Sequence, residues 1–205
     1  MLTLNHLEIV RTDILRLRPL SVTMLPGACV LLTGANGAGK STALKMLATL
    51  SPPQARTMFM YDTDIITALD EYRSLLCYIS DDETIDPEAT VLDNLMLWAQ
   101  LYQRELALSA ALFGFGLDDV IDEAVSSLSR GMQRRVQLAR LLLSNAVIWL
   151  LDEPFVHLDM QAAEYLANVI NIKCRNGGVV ILSSHQSVAL LPNAANLSLE
   201  DWQDE

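Results

Sequence analysis

The chain has 205 residues, 51% of them hydrophobic and 19% charged, which predicts a folded protein of one or two domains with a sizeable core. Its formal net charge of −11 makes it a poor partner for nucleic acid, which selects clustered Lys and Arg, and such acidity is expected of a solvated surface. The three cysteines are scattered and include no C-x-x-C pair, which indicates neither a disulfide framework nor a zinc site and fits a reducing compartment. Because the N-terminus lacks a signal-peptide pattern and no apolar run approaches the ~20 residues of a membrane-spanning helix, we expect no direct membrane insertion. Any membrane role would come through a partner.

The first predicted elements are strands. Apolar and polar residues alternate in places over roughly the first 25 positions, which predicts short antiparallel strands. A Pro-Gly turn at 26–27 precedes an apolar run at 28–33, which predicts a buried strand. Apolar residues then recur at helical spacing over 41–50, and the Ser-Pro-Pro segment at 51–53 predicts the end of that helix.

The rest of the chain alternates between helices and strands. The region of roughly 83–142 is predicted to be mostly helical, with helices at 93–101 and 132–143. A second buried strand is predicted at 147–151, a helix at 161–172 and a third buried strand at 179–183. Buried strands that alternate with helices predict an α/β fold in which helices cover both faces of a mainly parallel sheet.

A glycine-rich segment after the first buried strand matches the phosphate-loop pattern G-x-x-x-x-G-K-[ST] at every fixed position. Backbone N–H groups of such a loop converge on the β- and γ-phosphates, and the start of the following helix adds its positive dipole end. Lys40 would place a charge on the phosphates and the Ser41 hydroxyl would ligate Mg²⁺. Because the segment lies between a predicted strand and a predicted helix, we expect it to bind ATP and Mg²⁺ rather than to be a chance turn. The residues assigned to the nucleotide are Gly34, Ala35, Asn36, Gly37, Ala38, Gly39, Lys40, Ser41 and Thr42.

The second buried strand ends on two carboxylates, Asp152 and Glu153. A buried strand that stops in this way places the charges at the carboxyl edge of the sheet, where a phosphate loop also opens. Asp152 is therefore predicted to hold Mg²⁺, directly or through water, and Glu153 to act as the general base on the attacking water. The alternative is a pair of helix-capping acids that face solvent.

Three further segments complete a pattern: the stretch at 128–140 that holds Ser129 and Gly131, the Leu-Asp pair that ends on Asp159, and the Ser-Ser-His segment that ends on His185. Together with the phosphate loop and the acidic strand end, they resemble the ATP-binding cassette of ABC transporters over nearly the whole chain, in the order of that family. The resemblance implies a phosphate-loop NTPase core with a mainly parallel sheet, flanking helices and an N-terminal antiparallel β-subdomain. Residues 1–205 would form a single ATP-binding domain, with a helical signature subdomain inserted at approximately 83–142.

The same resemblance implies a head-to-tail dimer that holds two ATP molecules between its subunits. Ser129 and the Gly131 N–H of one subunit would reach the γ-phosphate held by the other, as preorganised donors that stabilise charge. His185 would contact that phosphate and help to orient water and Glu153, and Asp159 would couple the two sites. The alternatives are a helix N-cap for Ser129, which is compatible with the first role, and a structural strand-end histidine for His185.

Narrower stretches at 90–99, 133–143, 148–155 and 177–186, with a short tail after them, are similar to the ATPase subunit of the haem exporter of cytochrome c maturation. This similarity implies integral membrane partners that the subunit contacts from the cytoplasmic face of the inner membrane, or from the matrix side in an organelle. ATP hydrolysis would be tied to the release or export of haem by those partners.

Some positions depart from the ABC pattern. The signature has Arg130 in place of its first glycine and Met132 in place of its glutamine, and a bulky side chain at the former could weaken contact with ATP across the dimer. Asp81 lies nearest to the glutamine that most ABC proteins carry, and could bond a metal-bound water or simply face solvent. No aromatic residue precedes position 59, so Arg11 is the candidate for stacking on adenine, against the alternative of a solvated arginine.

The sequence is also compatible with two other functions. The first is the ATPase subunit of another small exporter, for lipids or drugs. The second is a nucleotide-dependent switch with weak turnover, which Arg130 and Asp81 favour and the intact Glu153 and His185 oppose. Soluble ABC proteins of DNA repair or translation are disfavoured, since they usually carry tandem cassettes or long insertions.

Overall fold

The computed structural model describes residues 2–7, 10–12, 15–16, 20–51, 58–60, 63–65, 67–80, 85–185 and 188–199. The chain divides into two compact units. The first unit comprises Met1–Tyr78, Ala146–Glu153 and Ile170–Glu205, and the second comprises Ile79–Asn145 and Pro154–Val169. Among the described residues, no helix is both long enough and apolar enough to cross a membrane.

An antiparallel sheet near the N-terminus belongs to the first unit. Its strands in spatial order are β4 (Leu20–Met24), β1 (Leu2–Leu7), β6 (Met58–Met60) and β7 (Thr63–Asp64). Leu2 lies opposite Met24 on one side and Met60 on the other. A separate antiparallel pair joins β2 (Val10–Thr12) to β3 (Leu15–Arg16). The antiparallel strands expected from the alternating pattern are thus confirmed.

A second sheet carries the core of the first unit. Its strands in spatial order are β11 (Ala195–Ser198), β5 (Cys29–Thr33), β10 (Val179–Ser183), β9 (Ile148–Leu151) and β8 (Leu76–Ile79). The pairs β11–β5, β5–β10 and β10–β9 are parallel, as the alternation of strands and helices predicts. Every residue of β9 and β10 is buried, as expected of strands covered on both faces. Neither β8 nor β11 was predicted from the sequence.

The helix after the phosphate loop, α1 (Lys40–Leu47), ends earlier than the predicted residue 50. Thr49 adopts a left-handed conformation with φ of +57°, and its N–H donates to Met46 O. Leu50 N donates to Lys45 O, so the two bonds form a Schellman cap that closes the helix before the Ser-Pro-Pro segment. The two prolines of that segment lie outside the described residues. Leu44 of α1 is fully buried in a core shared with β5, β9 and β10.

The other α-helices in the described part of the chain are α2 (Leu69–Ser74), α3 (Val91–Leu101), α4 (Leu108–Gly114), α5 (Arg130–Leu143) and α6 (Met160–Arg175). In the second unit, α3 and α4 pack against α5. The helices α3 and α5 both begin two residues before their predicted starts, because Thr90 and Ser129 cap them. The Thr90 hydroxyl accepts a bond from Asp93 N, and the Asp93 carboxylate accepts one from Thr90 N, which forms a capping box.

Candidate functional site

The phosphate loop joins β5 to α1 in the first unit. Gly37 and Gly39 have φ of +86° and +100°, a left-handed conformation that side chains with a Cβ rarely adopt. Gly39 is the N-cap of α1, and its carbonyl accepts the first helical bond, from Ala43 N at 2.8 Å. Ala38 N also donates to Ala35 O, which tightens the turn. These two glycines therefore allow the backbone conformation of the tight turn that connects β5 to α1.

Lys40 is the first residue of α1 and only 6% exposed. Its ammonium donates to the carbonyls of Gly34 at 2.8 Å and Ala35 at 3.2 Å. The loop therefore folds around the Lys40 ammonium, the group predicted from the sequence to contact the phosphates of the nucleotide. Ser41 follows in the exposed first turn of the helix, and Thr42 is half-buried.

The acidic strand end lies beside the end of a neighbouring strand. Asp152, which follows β9, is 2% exposed, and its Oδ1 accepts a hydrogen bond from Ser183 Oγ at 2.6 Å. Ser183 Oγ in turn accepts a hydrogen bond from Glu153 N at 2.8 Å. The Ser183 side chain thus holds both the buried Asp152 carboxylate and the backbone of Glu153, which has an unusual φ of +45°. The alternative of two solvent-facing capping acids is wrong for Asp152.

His185 connects the Glu153 carboxylate to the Lys40 ammonium. Its Nδ1 lies 3.1 Å from Lys40 Nζ and its Nε2 lies 3.2 Å from Glu153 Oε1, while Lys40 Nζ is 3.9 Å from that same oxygen. An ammonium can only donate, so Nδ1 accepts its hydrogen bond and the ring proton lies on Nε2, facing the carboxylate. The tautomer follows from these partners.

Four predicted residues are therefore close together in the first unit: Lys40, Asp152, Glu153 and His185. They lie at or just beyond the carboxyl ends of parallel strands, the edge where ligands bind in open α/β sheets. Ser183 belongs to the same cluster and was missed by sequence reasoning as a positioning residue. The available signal was its place at the end of a buried strand, two residues before the predicted histidine.

The signature residues lie in the second unit. Ser129 is exposed and its Oγ accepts a hydrogen bond from Met132 N at 3.3 Å, so it is the N-cap of α5. Arg130 is also exposed. A Cβ added to Gly131 would lie 2.8 Å from the backbone oxygen of His157, which explains the requirement for glycine at this point. The capping alternative for Ser129 is thus present, and its predicted contact with a γ-phosphate stays a prediction.

Two other polar groups of the second unit are held by α5. Asp159 Oδ1 accepts a hydrogen bond from Ala162 N at 2.9 Å, and its Oδ2 pairs with the Arg135 guanidinium. Arg134 is buried, and its Nη1 donates to Ser80 O and to Gln137 Oε1, each at 2.7 Å. Arg134 was not among the residues predicted from the sequence. It anchors the backbone of the residue immediately before Asp81.

Two predicted site residues cannot be placed with the others. Asp81 lies outside the described residues. Arg11 is part of β2, but its side chain falls outside the described part of the structure. The metal role assigned to Asp81 and the adenine stacking assigned to Arg11 stay predictions.

Comparison with known proteins decides the family. A sequence model described as ABC transporter matches residues 17–156, which is well over half of the chain. The chain belongs to the ABC transporter family. It is 38% identical over 191 residues to the cytochrome c biogenesis ATP-binding export protein CcmA of Dechloromonas aromatica, covering 92% of this chain and 94% of that protein. The protein of the same name from Rickettsia typhi is 34% identical over 200 residues, covering 98% and 99% of the two chains.

The fold comparison agrees with this assignment. The structure of an ABC transporter ATP-binding protein from Pyrococcus furiosus superposes with a TM-score of 0.85 at 26% identity and covers 99% of each chain. The predicted ABC-type ATPase fold and the resemblance to the cytochrome c biogenesis group are therefore confirmed. As an ABC transport ATPase, the chain is a nucleotide-binding enzyme.

Proposed function

We propose that this ABC ATPase is the ATP-hydrolysing subunit of the haem exporter of cytochrome c biogenesis, and that it couples hydrolysis to haem release or export by integral membrane partners. The hydrolytic part of the proposal rests on the cluster of Lys40, Asp152, Glu153 and His185. Ser183 positions the two acidic residues of this cluster. The link to cytochrome c biogenesis is supported by relatives of that name that match over nearly their whole length.

The phosphate loop binds the triphosphate of ATP in this proposal. The N–H groups at the start of α1 and the Lys40 ammonium supply the positive potential for the β- and γ-phosphates. Because Lys40 is almost fully buried among loop carbonyls, its charge is held in position rather than free in solvent. Ala35, Asn36 and Thr42 complete the predicted contacts of the loop with nucleotide.

Mg²⁺ is the metal that fits the oxygen donors of the site. The Ser41 hydroxyl and the buried Asp152 carboxylate are hard oxygen ligands of the kind that Mg²⁺ prefers, and they lie on the two segments that the site brings together. When bound, this ion neutralises charge on the β- and γ-phosphates. Ser183 holds the Asp152 carboxylate in a fixed orientation, as such a ligand needs.

Glu153 is proposed to take a proton from the attacking water. Its carboxylate is only 12% exposed, and its Oε1 faces the Nε2–H of His185. The histidine thereby lies against the proposed general base, and its place beside Lys40 puts it within reach of a phosphate that this lysine holds. Hydrolysis then needs no covalent intermediate, since water is the nucleophile.

A second copy of the chain completes the site in this proposal. Ser129 and Gly131 of the partner copy would contribute donors to the γ-phosphate, and exposure of Ser129 at the start of α5 supports such a contact. Asp159 would couple the two sites. Residues 1–205 would act as one ATP-binding domain, with the second unit as its helical signature part. The dimer would lie on the cytoplasmic face of the inner membrane, or the matrix side in an organelle, bound to its membrane partners.

Substitution of the general base tests the hydrolytic proposal. Glu153→Gln keeps the size of the side chain but cannot accept the proton, so we expect ATP hydrolysis to fall by about 10²-fold or more while Mg-ATP binding persists. Turnover is measured by phosphate release and binding by calorimetry. Glu164→Gln, at an exposed position of α6, is the matched control. Equal turnover in wild type and Glu153→Gln would overturn the catalytic assignment.

A genetic experiment tests the cargo. Deletion of the gene in its host is expected to abolish c-type cytochromes, measured by haem staining of membrane proteins. The wild-type gene should restore them and the Glu153→Gln gene should not. Normal c-type cytochromes in the deletion strain would instead favour another small exporter. Full rescue by an inactive variant would favour a nucleotide-dependent switch.

A further inference from the structure

Two of the three cysteines, Cys29 and Cys174, come together in the first unit although they lie far apart in sequence. Cys29 is the first residue of β5 and Cys174 lies in the last turn of α6. Both thiols line one cavity of about 230 Å³, together with Arg175. The Cys174 sulfur is 3.7 Å from the carbonyl oxygen of Ala28, the neighbour of Cys29. A Cβ added at Gly27, two residues before Cys29, would lie 3.2 Å from the backbone oxygen of Cys174, so the start of β5 and the end of α6 approach closely here.

From this geometry we propose that Cys29 and Cys174 form an oxidisable dithiol that hydrogen peroxide converts to an intramolecular disulfide. Three features support the proposal. Both residues line the same cavity with Cys174 Sγ 3.7 Å from the backbone oxygen next to Cys29, both are partly exposed, and the cavity can admit a small oxidant. The third cysteine, Cys77, is 1% exposed and lies in β8, so it provides an internal control.

The two thiols have different roles in this proposal. The hydrogen bond from Cys29 lowers the pKa of Cys174 against the opposing effect of partial burial, and the charge of Lys173 lowers it further. The same hydrogen bond, followed by burial and the charge of Cys174, raises the pKa of Cys29. Because the thiolate is the nucleophile, Cys174 reacts first and Cys29 resolves the product.

The chemistry balances with hydrogen peroxide as the oxidant. The Cys174 thiolate attacks one peroxide oxygen, the O–O bond breaks, and the leaving hydroxide takes a proton from solvent to give water. This leaves Cys174 as a sulfenic acid, oxidised by two electrons. The Cys29 sulfur then attacks Cys174 Sγ, the S–O bond breaks, and the hydroxyl group leaves as water with the proton of Cys29. In sum, two thiols and one peroxide give one disulfide and two waters.

A metal site is the competing explanation for two adjacent thiols. Structural zinc sites take four ligands, and within the described ranges no group of three or more His, Cys, Asp or Glu side chains is placed to hold a metal ion. The basic neighbours of the pair, Lys173 and Arg175, favour a thiolate over a bound cation. These observations favour oxidation over metal binding.

The first experiment uses the full wild-type chain, reduced and then treated with hydrogen peroxide. Remaining thiols are alkylated with N-ethylmaleimide after unfolding, and the products are identified by intact mass and peptide mapping. We expect two of the three thiols to be lost, one peptide pair linked through Cys29 and Cys174, and Cys77 fully alkylated. Recovery of all three thiols, a disulfide that includes Cys77, or a link between chains would overturn the proposal.

The second experiment tests the order of reaction with single variants. Cys29→Ser should stop at a sulfenic acid on Cys174, which dimedone traps, whereas Cys174→Ser should leave Cys29 largely unmodified under the same treatment. Cys77→Ser, the matched control, should form the disulfide as the wild type does. If a variant fails to fold, iodoacetamide labelling of the reduced wild type replaces it, and Cys174 should react faster than Cys29. Equal rates would contradict the assignment of the nucleophile.

Stability and metal content give two independent readouts. The disulfide would close a loop that includes most of the chain, so the oxidised protein should melt about 5 °C or more above the reduced protein. Dithiothreitol should reverse that shift in the wild type, and Cys29→Ser should show none. Purified protein that carries stoichiometric zinc or copper, and whose two thiols become reactive only after chelation, would replace the proposal with a metal site.

Discussion

Ser183 Oγ donates a 2.6 Å hydrogen bond to Oδ1 of Asp152, a carboxylate that is only 2% exposed. The same hydroxyl oxygen accepts the N–H of Glu153 at 2.8 Å. A buried charge without such a partner carries a large desolvation cost, so this serine stabilises the ionised carboxylate where it lies. It also ties the proposed metal ligand to the proposed general base.

Replacement of this serine is the first prediction. Ser183→Ala removes a donor from a buried charge and leaves the Glu153 N–H without its acceptor, so we expect a loss of about 1–3 kcal/mol in the free energy of unfolding. ATP hydrolysis should fall as well, because both acidic residues lose their fixed positions. Urea denaturation and phosphate release measure the two effects. Ser74→Ala, which removes an exposed hydroxyl bonded to Glu71 O, should change neither. Wild-type behaviour of Ser183→Ala would show that the contact is incidental.

This contact also shows the limit of what the sequence predicts. The phosphate loop and the acidic strand end were predicted because each is a local pattern with its own flanking elements. The Asp152–Ser183 bond instead depends on the register of two parallel strands, in which Leu151 lies opposite Leu182, so that the next residues meet. No local sequence pattern specifies the register between two strands that are joined by a long crossover.

The end of one helix and the presence of two strands were not predicted correctly, for similar physical reasons. The helix α1 ends at Leu47 because Thr49 adopts a left-handed conformation that is more usual for glycine, so the sequence showed no stop until the prolines. The strand β11 was missed because none of its residues is fully buried and it lacks an apolar pattern. By contrast, β8 is a run of four apolar residues whose burial alternates along the strand. That apolar run is a sequence signal from which the strand could have been predicted.

The second prediction concerns the tautomer of His185. Its Nδ1 faces the Lys40 ammonium and its Nε2 faces the Glu153 carboxylate, so the neutral ring should carry its proton on Nε2. Long-range ¹H–¹⁵N correlation spectra of the nucleotide-free protein distinguish the two tautomers. The Lys40→Met variant removes the donor to Nδ1 and should shift the population toward a mixture. A dominant Nδ1–H form in the wild type would contradict the geometry.

The third prediction concerns Gly131. A Cβ at this position would lie 2.8 Å from the His157 backbone oxygen, closer than real Cβ atoms approach. Gly131→Ala should therefore shift the backbone and destabilise the chain by about 1–3 kcal/mol, despite the better helix propensity of alanine. Urea denaturation measures the change. Arg130→Ala, at the exposed adjacent position, is the matched control and should change stability little. Equal stability of Gly131→Ala and wild type would show that the two segments can separate without cost.

The last prediction concerns stability at alkaline pH. Tyr72 is fully buried, its hydroxyl donates to Leu47 O at 2.9 Å, and burial raises the pKa of this phenol above its ordinary value of 10.0. The unfolded chain therefore releases the proton at a lower pH than the folded chain does. The stabilising contribution is complete below pH 10 and is lost as the pH rises above that value toward the higher pKa of the folded state, with a slope of up to about 1.4 kcal/mol per pH unit.

The Tyr72→Phe variant separates this effect from the hydrogen bond. At neutral pH the variant should be less stable by about 1 kcal/mol, because Leu47 O loses its donor. Above pH 10 its stability should fall less steeply than that of the wild type, so the two denaturation curves converge. Tyr165→Phe is the comparison, because burial also raises the pKa of this half-buried tyrosine, and its effect on the slope should be smaller. Parallel pH profiles for wild type and Tyr72→Phe would mean that Tyr72 ionises only after the chain has unfolded for another reason.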